Sequence, residues 1–217
     1  DDAGVDRSQN RALEFSMLIT LPAAVGLLVM PYPIIQVLFE RGAFSASDTQ
    51  ATAAALAAFA IGLPAFVLTK IFSPGFFARE DTKTPMYYAL TGVGLNILGA
   101  ILLFPLMGHV GIALATTAAS WVNVLLLGFT LRARGHFTAE RQLTRSMMRI
   151  VLASLVMGAV LAGLEYLFRD WFSRDTTLLA RLAVMAGMIG VGAIVYFSLA
   201  WATGALRISD FHRMVRR

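Results

Sequence analysis

The ionisable residue best placed to do chemistry in this sequence is Lys70, which lies near the end of a long apolar segment. If a helix there ends near Ile71, the ammonium group extends to a membrane interface. If the helix continues through 73–77, Lys70 lies about two turns deep, where a cation needs water, an anion or a carbonyl as partner. The sequence leaves both alternatives open.

The residue patterns of common catalytic sites are missing. The chain contains neither a G-x-S-x-G nor an H-E-x-x-H pattern, and it has no phosphate-gripping glycine-rich loop. Its three histidines, His109, His136 and His212, are far apart, and it has no cysteine to form a disulfide or a thiolate metal site. We therefore expect no enzymatic activity, no cofactor and no metal.

Long stretches without Asp, Glu, Lys or Arg dominate the sequence. The segments 49–69, 84–131 and 182–206 carry none, 58% of all residues are hydrophobic and the mean hydropathy is +0.71. Because about 20 apolar residues cross a bilayer as a helix, the sequence predicts an all-α, polytopic transmembrane helix bundle. The basic residues lie between the apolar segments, so the pI of about 10.1 reflects membrane topology, and no nucleic-acid partner is expected.

Six spans and one short interfacial helix, Ile34–Phe39, are predicted. The predicted spans are Leu13–Met30, Thr52–Phe72, Met86–Phe104, Gly111–Leu131, Ile150–Phe168 and Leu179–Thr203. Pro85 is expected to open the third span and Pro105 to close it. Glu165 is expected to reach the outer interface, and the residues before the first span are expected to form a polar loop.

The distribution of basic residues predicts the orientation of these spans. The side of the termini carries Arg7, Arg11, Arg79, Lys83, Arg132, Arg134, Arg141, Arg145, Arg149, Arg207, Arg213, Arg216 and Arg217. The opposite side carries Arg41, Arg169, Arg174 and Arg181. By the positive-inside rule, both ends of the chain are expected in the cytoplasm.

The domain organisation follows from the same pattern. Residues 1–131 are predicted to form four spans with a cytoplasmic approach, 132–149 a basic cytoplasmic connector, 150–206 a terminal pair of spans, and 207–217 a basic cytoplasmic tail. On a helix, Arg141, Arg145 and Arg149 would share one face, where anionic membrane lipids could bind. The alternative is a connector that only sets topology.

Proline is frequent inside or beside the spans, as at Pro22, Pro64 and Pro74. Each such residue removes a backbone hydrogen bond and leaves a carbonyl that a neighbouring helix or a cavity must satisfy. Bent helices are typical of transporters, although proline is also common in membrane helices generally.

Two loop segments carry a family resemblance. The segment 37–45 reads Val-Leu-Phe-Glu-Arg-Gly-Ala-Phe-Ser and is similar to a Phe-x-x-Gly-x-Phe element. The segment 74–85 reads Pro-Gly-Phe-Phe-Ala-Arg-Glu-Asp-Thr-Lys-Thr-Pro and is similar to the pattern A-P-G-F-[YF]-[AS]-R-x-D-x-K-T-P. Ser73, just before it, stands where that pattern has its first alanine. Both resemble the C-terminal half of the MurJ/MviN lipid II flippase family. That family belongs to the multidrug/oligosaccharidyl-lipid/polysaccharide exporter superfamily.

The resemblance implies the last six spans of a fourteen-span, two-lobed transporter in the bacterial cytoplasmic membrane. Such a protein moves lipid II from the cytoplasmic to the periplasmic leaflet by alternating access, and the terminal pair of spans would hold its undecaprenyl tail. The partners implied are this lipid-linked substrate and an N-terminal lobe outside the chain. The arginines that bind the pyrophosphate in that family have no counterparts in this chain. The substrate-binding residues that remain are Lys70, as a cation of the cavity wall, and Arg79 and Lys83 in the matching loop, although Arg79 and Lys83 could instead only stabilise a turn.

Two other functions fit the sequence. One is an exporter of another lipid-linked saccharide or of a drug in the same superfamily, which would use the same fold with a different cavity. The other is a non-transporting membrane scaffold of envelope synthesis that binds partners through its basic connector and tail. The prolines and Lys70 favour transport over the scaffold.

Overall fold

The chain folds as a bundle of α-helices in a computed structural model, which describes residues 2–138, 140–172 and 176–204. The helices are α1 Asp2–Val29, α2 Pro31–Phe39, α3 Ala46–Phe77, α4 Lys83–Met107, α5 His109–Ala133, α6 Arg141–Phe168 and α7 Leu178–Ala202, with a 3-10 helix, Arg169–Phe172, after α6. Within these described ranges, six segments are long and apolar enough to cross a membrane. The predicted all-α bundle of about six spans is confirmed, while the tail 207–217 lies outside the described residues.

Helix α3 is longer than predicted at both ends because each end is capped. At its start, the Ser45 hydroxyl accepts from the Asp48 amide at 3.3 Å, and the Asp48 carboxylate accepts from the Ser45 amide at 2.8 Å. At its end, Glu80 adopts a left-handed φ of 59°, and the amides of Glu80 and Asp81 donate to the carbonyls of Phe77 and Phe76. These reciprocal bonds satisfy backbone groups that a helix end otherwise leaves unpaired.

Three other helix ends differ from the sequence-based prediction. Helix α1 begins at Asp2, where a polar loop was expected, and α6 begins at Arg141, so α6 contains half of the predicted connector 132–149. Pro105 does not close α4, which continues to Met107 and is followed by Gly108 as its C-cap. Gly108 has a φ of +58°, a conformation that glycine adopts at little cost, and the chain enters α5 at the next residue.

Two apolar clusters form the interior of the bundle. One joins α1, α2, α6 and α7 through buried residues that include Met30, Ile150 and Tyr196. The other joins α3 and α5 through residues that include Phe76 and Leu131, with Leu13 of α1 and Leu143 of α6 at its margin. Helices α1 and α6 therefore contribute buried residues to both clusters.

Pro22 in α1 shows how the bundle satisfies a carbonyl that proline leaves free. Because proline has no amide hydrogen, the carbonyl of Leu18, four residues earlier, loses its helical partner. The hydroxyl of Tyr196 on α7 donates to this carbonyl at 2.6 Å, and the Tyr196 side chain is 1% exposed. A residue from the last span thus completes the hydrogen bonding of the first.

Helix α4 lies at the edge of the bundle and packs mainly on α5. Pro85 is its only buried residue among those described, and large apolar side chains such as Leu102 and Leu106 are exposed. The two helices are close together at Gly111, where an added Cβ atom would lie 2.6 Å from the Leu103 carbonyl oxygen. Glycine therefore sets the distance between the two helices at their junction.

Candidate functional site

One end of the bundle, here called the basic end, comprises the turn 78–83 and residues 132–149. Side chains near the start of α1 hold it together: Gln9 donates to the Ile71 carbonyl at 3.3 Å, and Asn10 donates to the Thr138 carbonyl at 3.0 Å. Arg149 donates to the Gly204 carbonyl at 3.5 Å. The ends of α1, α3, α5, α6 and α7 therefore meet at this end of the bundle, which carries seven of the 18 lysine and arginine residues.

Lys70 lies on α3 well inside the helix, because α3 continues through 73–77. Seven residues separate it from Phe77, which corresponds to about 10 Å along the helix axis. Lys70 is exposed, as are Pro74 and Phe77, which follow at spacings of four and three residues and so share its face. The Lys70 ammonium group on this face is therefore not covered by the described helices, and it lies further along α3 from the basic end.

Arg79 and Lys83 flank the turn after α3 but differ in their surroundings. Arg79 is half-buried, and its guanidinium donates to the Gly75 carbonyl at 2.9 Å, which secures the last turn of α3. Lys83 is exposed at the first position of α4. The structure thus brings these two residues to one turn and places Lys70 further along α3.

A network that sequence reasoning missed fixes this turn. The Asp81 carboxylate accepts from the Thr84 amide at 3.0 Å, from the Thr84 hydroxyl at 2.7 Å, and from the Arg134 guanidinium at 2.6 Å. Arg134 also lies over the Phe76 ring, 5.9 Å from its centre. The bonds from Thr84, followed by that from Arg134, lower the pKa of Asp81 to about 2, so the carboxylate is charged at every physiological pH.

Close packing explains the small and apolar residues of the 74–85 segment. A Cβ atom on Gly75 would lie 3.2 Å from Gln9 Nε2 and 3.4 Å from Leu131 Cδ2, so a larger residue would press on two neighbouring helices. Phe76 is 1% exposed in the α3–α5 cluster. The Asp81 to Thr84 spacing is a recognisable helix-start signal, whereas no sequence signal pairs Asp81 with Arg134.

The basic face of α6 forms as predicted from its spacing. Arg141 and Arg145 are exposed in the first two turns, and Arg149 is half-buried beside Gly204 at the end of α7. In the described part of the chain, no three His, Asp or Glu side chains gather closely enough to hold a metal ion. The exposed guanidinium and ammonium groups of the basic end can bind anionic oxygens.

Comparison with known proteins gives consistent matches. A family model described as "Lipid II flippase MurJ" matches residues 1–183. A probable lipid II flippase MurJ of Rhizobium meliloti is 44% identical over 213 residues, which is 96% of this chain and 39% of that protein. The lipid II flippase MurJ of Burkholderia cenocepacia is 33% identical over 192 residues, covering 88% of this chain and 37% of that protein.

A solved structure also matches. The lipid II flippase MurJ in an inward closed conformation superposes with a TM-score of 0.72 at 29% identity, covering 100% of this chain and 41% of that one. The chain spans about two fifths of the length of the curated relatives it matches.

Proposed function

This chain belongs to the lipid II flippase MurJ family, and we propose that it forms the C-terminal part of a transporter that moves lipid II from the cytoplasmic to the periplasmic leaflet. The observation that carries the proposal is the match of the whole chain to a solved flippase. The family is one of transporters, not of enzymes, and the six apolar helices indicate a multi-pass membrane protein.

Transport by alternating access requires a second lobe, supplied by the part of the protein outside this chain. Two features support this division. The exposed face of α3 carries Lys70 inside an apolar span, where a cation is costly unless it faces water or an anion. The edge helix α4 exposes most of its apolar surface. Against a second lobe, the Lys70 face would line a water-filled cavity.

In this proposal Lys70 contacts the pyrophosphate of the substrate, and Arg79 and Lys83 act at the cavity entrance. An ammonium group in a cavity of low dielectric attracts phosphate oxygens more strongly than one in bulk water does. Lys83 adds positive charge at the basic end. Arg79 contributes partly through the turn, because its guanidinium also bonds to the Gly75 carbonyl.

The orientation and the lipid contacts belong to the same proposal. The basic end would face the cytoplasm of a bacterial cell, with both ends of this chain on that side. Arg141 and Arg145, exposed near the start of α6, would then lie at the anionic surface of the inner leaflet. Each such residue contributes about 1 kcal/mol of attraction to an anionic membrane surface.

The test is complementation and lipid flipping by the full-length protein that contains this chain. Lys70→Gln removes the charge and keeps a similar length, and we expect the rate of lipid II translocation in proteoliposomes to fall about tenfold, the loss expected for one charge-assisted contact. Depletion of the protein in cells should arrest growth with accumulated lipid precursor.

Lys70→Arg is the matched control, since it keeps the charge at the same position, and it should retain most of the activity. Translocation by the Lys70→Gln protein at the wild-type rate would remove Lys70 from the proposed site. Normal turnover of the lipid precursor in depleted cells would refute the flippase function itself.

A further inference from the structure

A cavity of about 490 Å³ lies at the end of the bundle opposite the basic end, between α2, the last turns of α6 and the 3-10 helix. Its lining combines two charged residues, an amide and two phenols with apolar side chains. The lining residues are Tyr32, Pro33, Gln36, Ala162, Glu165, Tyr166, Arg169 and Phe172. This volume lies in the range of ligand-binding sites.

Opposite charges line this cavity without neutralising each other. Glu165 is half-buried and Arg169 is exposed, and they lie one helical turn apart, where side chains are neighbours. Within the described ranges, neither side chain forms a hydrogen bond or an ion pair. Each charge is therefore available to a ligand group of the opposite sign.

Gln36 adds a polar group whose hydrogen bonding is not satisfied by the described residues. Its side chain is 6% exposed, and its Oε1 atom is buried without a hydrogen-bond partner among the described residues. An unpaired buried amide oxygen costs about 1–3 kcal/mol of folding free energy, and a bound ligand that donates a hydrogen bond to it would recover this cost. Because Gln36 lines the cavity, its amide group is a hydrogen-bonding partner that the cavity offers to a ligand.

The depth of the cavity matches the head-group layer of a membrane. One apolar span ends at Val29, one residue before α2, and another ends at Phe172 with the 3-10 helix, so the cavity lies at the same end of two apolar spans. Exposed aromatic residues surround it, with Tyr166 77% and Trp171 50% exposed. Tyrosine and tryptophan concentrate at this depth, where one side of the ring contacts lipid and the other contacts water.

We infer that this cavity binds the head group of a zwitterionic aminophospholipid in the leaflet opposite the basic end. The Glu165 carboxylate would accept hydrogen bonds from the lipid ammonium, and Arg169 would donate to its phosphate. A purely anionic head group would be repelled by Glu165, and a quaternary ammonium could not donate to it. The inference does not depend on lipid II transport, since it concerns a different end of the bundle.

The experiment is native mass spectrometry of the full-length protein, delipidated and then titrated with phosphatidylethanolamine, phosphatidylcholine or phosphatidylglycerol of identical acyl chains. The wild-type protein should bind phosphatidylethanolamine more tightly than phosphatidylcholine. Glu165→Gln and Arg169→Gln should each weaken phosphatidylethanolamine binding about fivefold, the modest loss expected for a partly exposed charge-assisted hydrogen bond. Asp170→Asn, next to Arg169 but outside the cavity lining, should bind like the wild type.

Two results would overturn the inference. Equal binding of phosphatidylethanolamine and phosphatidylcholine by the wild-type protein would exclude recognition of the ammonium, and this comparison needs no variant to fold. Binding of a lipid-linked saccharide in preference to phosphatidylethanolamine, with the same dependence on Glu165 and Arg169, would assign the cavity to the transported substrate instead.

Discussion

The hydroxyl of Tyr196 on α7 donates a hydrogen bond to the Leu18 carbonyl, which lacks a donor within α1. Pro22 leaves the Leu18 carbonyl without an amide donor, and Tyr196 supplies the missing bond from another helix. In hydrocarbon no water can replace this donor, so the carbonyl depends on one side chain. The general need for such a partner follows from the sequence, but its identity does not, because the residues are 178 positions apart.

Tyr196→Phe should therefore destabilise the protein by about 1–3 kcal/mol, the cost of an unpaired buried acceptor. The double variant Pro22→Ala with Tyr196→Phe restores an amide donor within α1, so it should lose less than the single variant does. Thermal unfolding of the full-length protein in detergent measures both. If the double variant is no more stable than Tyr196→Phe, the hydrogen bond does not have this role.

Asp81 is the residue on which the turn at the basic end depends. Asp81→Asn removes the charge that Arg134 and Thr84 bind, and we expect the melting temperature to fall by on the order of a few degrees, as for the loss of a helix-start contact at an exposed site. Arg134→Gln should have a smaller effect, because the Thr84 bonds remain.

The pH dependence of this contact has a defined sign. The pKa of Asp81 is lowered from 3.8 to about 2 by folding, so its stabilising contribution is complete above pH 4 and is lost as the pH falls toward 2. The difference in melting temperature between wild type and Asp81→Asn should be constant from pH 5 to 8. A difference that changes across that range would point to another group.

At the scale of the helices, the sequence predicted the presence of each long helix more accurately than the residues at which the helices begin and end. The apolar stretches identified every long helix, because hydropathy depends only on composition over about 20 residues. The ends depend on single capping contacts, such as Ser45 with Asp48, and on the left-handed Glu80, which no general propensity favours. The same limit applies to Lys70, whose depth was decided by where α3 ends.

The junction of α4 and α5 gives a prediction at this scale. Gly111→Ala would place a Cβ atom 2.6 Å from the Leu103 carbonyl oxygen, and backbone cannot yield as a side chain can. We expect a loss of stability of about 1–3 kcal/mol or more, as for an overpacked core. Gly187→Ala on α7, where nothing lies within 4 Å, is the matched control and should be neutral or slightly stabilising.

The measurement is the melting temperature of the two variants in the same detergent. Equal melting temperatures would mean that α4 can shift away from α5 at little cost. In that case the position of α4 would depend on contacts other than the one between Gly111 and Leu103.

At the scale of the whole molecule, this chain is expected to be insufficient for transport. It covers about two fifths of the length of its curated relatives, and its exposed Lys70 face has no opposing wall among the described residues. We predict that the isolated chain, reconstituted in liposomes, translocates no lipid II above the rate of empty liposomes. Full-length protein prepared identically serves as the positive control, and translocation by the isolated chain would contradict the two-lobe proposal.

The link between Tyr196 and Leu18 also sets an order of events while the chain is being made. A ribosome that adds about 5–20 residues per second needs roughly 10–40 s to travel the 178 residues between them. During that interval α1 has been synthesised, but the donor for its Leu18 carbonyl has not. A chain that stopped anywhere before position 196 would keep this carbonyl without its donor, so we expect α1 to be destabilised although its own sequence is unchanged.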